Sequence, residues 1–222
     1  MADLYPRAAI LARIATALRD EPARALPEPQ PIFGAEPAAD RATLAARFRD
    51  ELKALSGEAR FVATAQELPG ALAQFLKDRE IASAACQNSI AVRWALTRLP
   101  EGAAFSAADA DKLRVAGARC AVIAAEALLA DTGSVVAAFS TSGERLLPYL
   151  PRTCIVIADE SRLHSHMTLE ALAPLYARAR AGERGEFVII TGPSRSADIE
   201  KTLVLGAHGP QFLVVFIVGV TP

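Results

Sequence analysis

Short, wholly apolar runs set between stretches of helical spacing limit this chain more than any other feature. Cys120-Ala121-Val122-Ile123-Ala124, Cys154-Ile155-Val156-Ile157-Ala158, Phe187-Val188-Ile189-Ile190 and Phe212–Val218 are strand-length and show no polar alternation. A strand without a polar face belongs in a sheet covered on both sides, as parallel sheets are. Further strands are expected at Phe61–Thr64, Ile81–Ala84, Ser134–Phe139 and Lys201–Leu205, with Thr191 ending the run that starts at Phe187. Helices are expected at Ala65–Lys77, around Ser89–Arg98 and Ala107–Ala116, and at Thr168–Ala181. Alternating strands and helices predict βαβ units, and so an α/β fold with a mostly parallel sheet. One local antiparallel excursion is expected between Ser134 and Val156, turning at Ser140-Thr141-Ser142-Gly143.

The first part of the chain follows another pattern. Ile10, Leu11, Ile14 and Leu18 fall at helical spacing within residues 7–19. Pro22, Pro27, Pro29, Pro31 and Pro37 then rule out a regular element. A second helix is expected from Ala38 to Leu55, with Leu44, Phe48, Leu52 and Leu55 on one face and Ser56-Gly57 as its stop. The expected division is residues 1–57, helices and proline-rich linker, and residues 58–222, the α/β domain. The N-terminal helices either lie on that domain or exchange between subunits.

With 222 residues, a net charge of −1 and a pI near 6.3, the chain suits one such domain and offers no basic field for a phosphate backbone. Nucleic acid is therefore not an expected partner. No run approaches the roughly 20 apolar residues of a membrane span. Asp3, Arg7, Arg13 and Arg19 interrupt the apolar residues at the N-terminus, unlike a secretory signal, so a cytoplasmic location is expected. Cys86, Cys120 and Cys154 lie far apart with no CxxC, which argues for small buried residues, not a zinc or iron–sulfur site. Neither metal nor cofactor is expected.

Three segments carry chemistry-bearing residues. Thr191-Gly192-Pro193-Ser194-Arg195-Ser196-Ala197-Asp198-Ile199-Glu200 follows an apolar run, at the carboxyl end of a strand, where open α/β sheets place ligands. Gly192 allows close backbone approach, and Ser194, Arg195 and Ser196 supply donors for a carboxylate or phosphate. The alternative is a capped turn with Arg195 paired to Asp198. Glu126 and Asp131, with Thr132, Gly133 and Ser134, put two carboxylates near a turn, where one can act as base or nucleophile. The alternative is a plain turn capped by Asp131. His208, between Gly206 and Gly209, either points into a pocket or fills a tight connection. His164 and His166 read as a polar surface loop, since no third metal ligand is indicated.

The run Thr191–Glu200, followed by Leu203-Val204-Leu205-Gly206-Ala207-His208-Gly209-Pro210, resembles the C-terminal signature of the LutC/YkgG (lactate utilisation protein C) family of LUD domains. Ala124-Ala125-Glu126-Ala127 through Asp131-Thr132-Gly133-Ser134 is similar to a second family region, with Asp131 in place of the usual glutamate and Ser134 in place of threonine. Arg145, Pro148 and Pro151 also fall at family positions. The resemblance covers about Ala118 to Val218 well. It implies a three-layer α/β/α domain similar to the NagB/RpiA/CoA-transferase-like fold. It also implies a role in bacterial L-lactate oxidation to pyruvate beside iron–sulfur partner subunits. On that reading the loops around Asp131, Ser194–Asp198 and His208 bind a small anion or dock a partner. Arg195 would hold the carboxylate, Ser194 and Ser196 would orient it, and His208 or Asp131 would shuttle a proton. The alternative is a free-standing enzyme on a phosphorylated or CoA-linked small molecule, with Asp131 or Glu126 as nucleophile or base. A homo-oligomer fits either.

Overall fold

The computed structural model describes residues 7–19, 39–183, 185–197, 203–205 and 209–219. The chain divides into two units, Met1–Ile32 and Phe33–Pro222. Helix α1 (Arg7–Arg19) is the described part of the first. Among the described residues, no helix is long and apolar enough to cross a membrane.

The second unit opens with α2 (Arg41–Ala54), capped by Asp40, whose carboxylate accepts from the Thr43 N–H at 2.8 Å. Its Leu44, Ala45, Phe48 and Leu52 are buried in the core. There follow β1 (Glu58–Val62), α3 (Leu68–Asp78), β2 (Ala84–Cys86), α4 (Ile90–Ala95), β3 (Ala104–Ser106), α5 (Lys112–Gly117) and β4 (Cys120–Ala124). Strands β5 (Ala127–Leu129), β6 (Ser134–Phe139), β7 (Thr153–Asp159), β8 (Leu163–His164), helix α6 (Ala173–Arg180) and β9 (Glu186–Ile190) come next. β10 (Arg195–Ala197), β11 (Leu203–Leu205) and β12 (Phe212–Val218) complete the order.

The central sheet has six strands, all parallel, in the order β1-β12-β7-β4-β2-β3. Both faces are covered, and the side chains sort by parity. Cys120, Val122, Ile155, Ile157, Val214 and Phe216 pack with Leu68, Leu72 and Phe75 of α3 and Val92 of α4. Ala121, Ile123, Cys154, Val156, Leu213 and Val215 pack on the other face with Phe48 and Leu52 of α2, and with Leu128, Val135 and Ala137 of a second sheet. This double coverage accounts for the wholly apolar runs. The expected α/β class with a mostly parallel sheet is what the chain adopts.

The second sheet holds four strands in the order β8-β5-β6-β9. β6 pairs antiparallel with β5 and β9, and β5 pairs parallel with β8, so the excursion expected within Ser134–Val156 runs well outside those bounds, and its turn is elsewhere. The β5–β6 hairpin turns at Ala130–Gly133, and Ser140–Gly143 leads to a short 3₁₀ turn at Glu144–Leu146. Gly133 makes the hairpin possible: its φ is +61°, and a Cβ there would sit 2.5 Å from the Leu52 backbone nitrogen. Two further readings need correction. The Phe187–Ile190 run is not covered on both faces; β9 pairs with β6 at the border of the second sheet, and Phe187 and Ile189 are exposed. His164 is not in a polar surface loop but in β8, alongside β5 and partly buried.

Candidate functional site

A parallel sheet leaves a crevice where successive connections depart in opposite directions from the carboxyl ends of neighbouring strands. Here β2 leads outward to β3, whereas the chain after β4 goes on to β7 on the other side. Gln87 bridges this point. Its side chain accepts from the Ala124 N–H at 2.8 Å and donates to the Ala138 carbonyl at 2.7 Å. Glu144, only 4 % exposed, accepts from the N–H groups of Asn88 at 2.8 Å and Ser140 at 3.3 Å. A buried carboxylate with two backbone donors fixes both loops.

A cleft of about 360 Å³ opens at this carboxyl edge, where β4, β7 and β12 end. Leu68, Trp94 and Val218 are among its apolar walls, and Ser89, Glu126, Asp159 and Arg162 supply its polar groups. Glu126 lies between two arginines. Arg178 reaches its Oε1 at 3.1 Å, and Arg162 stands 3.7 Å from its Oε2 and donates to its backbone carbonyl at 3.3 Å. Asp159 caps the turn after β7 by accepting from the Ser161 N–H at 2.9 Å. Trp94 is half exposed, and its indole N–H donates to the Ala65 carbonyl at 3.1 Å, which fixes the ring against the β1–α3 loop.

Of the residues singled out from sequence, Glu126 lies in this cleft. The structure gathers several others at the opposite edge of the central sheet. Ser134 donates to the Thr132 hydroxyl at 2.8 Å, Thr132 donates to Asp131 at 3.2 Å, and Thr191 meets Ser134 at 2.8 Å. Gly192 is buried with φ +82°. The Ser194 N–H donates to the Pro210 carbonyl at 2.9 Å, just before β12 begins, and Gly209 packs against Ser194. Arg195 and Ser196 are described through their backbone on β10, opposite Leu205 and Val204. Asp198 and His208 lie outside the described residues. The strand-end argument for the 191–198 loop does not apply, because β9 is an antiparallel strand of the second sheet, not a strand of the parallel one.

Sequence reasoning missed Gln87, Ser89, Trp94, Glu144, Asp159 and Arg162. Two signals were present. Asp159 directly follows the Cys154–Ala158 run, so the strand-end argument applies there. Gln87-Asn88-Ser89 separates a strand from a helix start, with Ser89 accepting from the Val92 N–H at 3.2 Å as its cap.

Comparison with known proteins adds lineage to this geometry. A family model described as LUD domain matches residues 45–218. The lactate utilization protein C of Bacillus pumilus is 34 % identical over 125 residues, covering 55 % of this chain and 45 % of that protein. That of a Geobacillus strain, WCH70, is 43 % identical over 86 residues, covering 37 % and 35 %. The Escherichia coli protein YkgG is 35 % identical over 103 residues, covering 46 % and 44 %. The matched stretches thus span less than half of each of these relatives. Among solved structures, a DUF162-family protein from Deinococcus radiodurans superposes with a TM-score of 0.59 at 20 % identity, covering 82 % of this chain and 100 % of that one. This last likeness concerns the fold alone.

Proposed function

The chain belongs to the LUD domain family, and on that premise we propose that it serves L-lactate utilisation as a subunit or accessory protein that binds a small carboxylate. The names of the relatives support the role. The observation that carries the binding reading is Arg162, held beside Glu126 in a cleft at the carboxyl edge of the parallel sheet. A guanidinium there pairs with a carboxylate through two parallel hydrogen bonds. Glu126 and Ser89 stand on the same cleft to bond the 2-hydroxyl of the ligand. The electrons released when lactate becomes pyruvate pass, on this reading, to iron–sulfur partner subunits in the cytoplasm.

The test is calorimetric titration of L-lactate into the wild type, Arg162→Ala and Arg195→Ala. Loss of binding in Arg162→Ala alone supports the cleft. Loss in Arg195→Ala alone moves the site to the 191–198 loop, where the sequence motif placed it. A wild type that binds no lactate, and that co-purifies with no iron–sulfur protein from cells growing on L-lactate, overturns the reading.

A further inference from the structure

Lactate does not account for the whole cleft. Pockets of about 300–1,000 Å³ suit ligands much larger than a three-carbon acid, and this one measures about 360 Å³. Its two ends differ in character. Arg162 and Glu126 form a charged end suited to a carboxylate. At the other, Trp94 offers an indole that is 49 % exposed yet anchored through its N–H to Ala65, so no side-chain freedom has to be lost to present the ring. The neighbouring Ala65 and Ala91 carry only methyl groups. Asp159 projects from the end of β7 on the same cleft, with one carboxylate oxygen on its own turn and acceptor capacity left over.

We infer that this second end binds the nucleoside moiety of a ligand that shares the cleft with the carboxylate, the base against Trp94 and the ribose diol on Asp159. The inference rests on the cleft reading above and names what lies beside the small acid. An aromatic face accepts any base, since every base has a π-face. A carboxylate at the end of a parallel strand is the group that holds a ribose 2′-hydroxyl in other open α/β sheets.

Trp94 is the single tryptophan of the chain, so its fluorescence reports on this end of the cleft alone. Adenosine titrated into the full chain is expected to change that emission saturably. The 2′-deoxy analogue should bind roughly tenfold more weakly, as expected for one lost hydrogen bond to a charged acceptor. Asp159→Asn keeps an oxygen to cap Ser161 and should bring the two nucleosides to about equal affinity. Trp94→Leu, read by calorimetry, should weaken adenosine roughly tenfold, as expected for a lost stacking partner. No saturable signal by fluorescence and calorimetry at millimolar adenosine overturns the inference, as does wild-type adenosine affinity in folded Trp94→Leu. L-Lactate titrated into the same preparation separates the two readings. Lactate binding without adenosine binding overturns this inference alone, and adenosine binding without lactate overturns the carboxylate reading alone.

Discussion

Thr191 Oγ1 lies 2.8 Å from Ser134 Oγ, joining two loops 57 residues apart. The Ser134 proton goes to Thr132, so Thr191 is the donor, and the hydroxyls run Thr191 to Ser134 to Thr132 to the Asp131 carboxylate. Each donor in such a chain polarises the next. Ser134 is 2 % exposed, so removing its hydroxyl breaks two shielded bonds, although both partners, Thr132 and Thr191, reach solvent. Ser134→Ala is expected to cost about 1–2 kcal/mol in urea unfolding. Thr191→Val removes one of the two bonds, at an exposed position, and is expected to cost less.

Gly133 and Gly102 separate backbone strain from collision. Both have positive φ, +61° and +79°. A Cβ at Gly102 meets nothing within 4 Å, whereas at Gly133 it meets the Leu52 nitrogen at 2.5 Å and Cα at 2.8 Å. Gly102→Ala should therefore cost about 1 kcal/mol, the left-handed penalty alone. Gly133→Ala must in addition push α2 away from the hairpin, and should lower the midpoint of thermal unfolding far more than Gly102→Ala does.

The three thiols tie stability to alkaline pH. Burial pushes Cys86 and Cys154 up to about 12 and raises Cys120 as well. In the unfolded chain a cysteine ionises near pH 8.5. Below that value both states hold the proton and the contribution is complete. Above it the unfolded chain releases protons that the native state keeps, so stability falls as pH rises toward the native values. The slope is about 1.4 kcal/mol per pH unit for each thiol. Urea midpoints at pH 8 and 10 should differ in the wild type, and the difference should shrink in Cys154→Ala. At pH 8 a thiol reagent should modify the native protein slowly and the urea-unfolded protein at once.

Much of this architecture was legible from the sequence because burial on both faces writes itself as apolar runs. Cys120–Ala124, Ser134–Phe139 and Phe212–Val218 were placed to the residue, and Arg7–Arg19 likewise. The three-residue strands Ala84–Cys86, Ala104–Ser106 and Ala127–Leu129 were displaced or missed, since so few residues carry no period. Phe187–Ile190 misled for the converse reason: an exposed border strand can be as apolar as a buried one. The candidate site was only partly visible. Glu126 was found next to a recognisable strand, whereas Trp94, Asp159 and Arg162 meet it only through the order of strands, which no local pattern records.

Arg178 supplies the last test, because α6 has no fully buried residue and meets the core through the partly buried Leu175. Its guanidinium instead makes contacts to Ser140 at 2.7 Å, Glu183 at 2.8 Å and Glu126 at 3.1 Å. The Glu183 bond, ahead of the Glu126 charge, raises the arginine above its ordinary value, so it stays charged at any working pH. The Arg178 side chain is 31 % exposed and that of Glu183 50 %, so water and salt weaken these pairs to about 0.5–1 kcal/mol. Arg178→Ala should then leave global unfolding nearly unchanged while amide exchange across Ala173–Arg180 speeds up. Raising salt on the wild type should move the same amides in the same direction. Arg178→Lys keeps the charge but not the fork, and should fall between. Exchange in α6 that ignores both the substitution and salt would mean that packing, not this ion cluster, holds the helix beside Glu126.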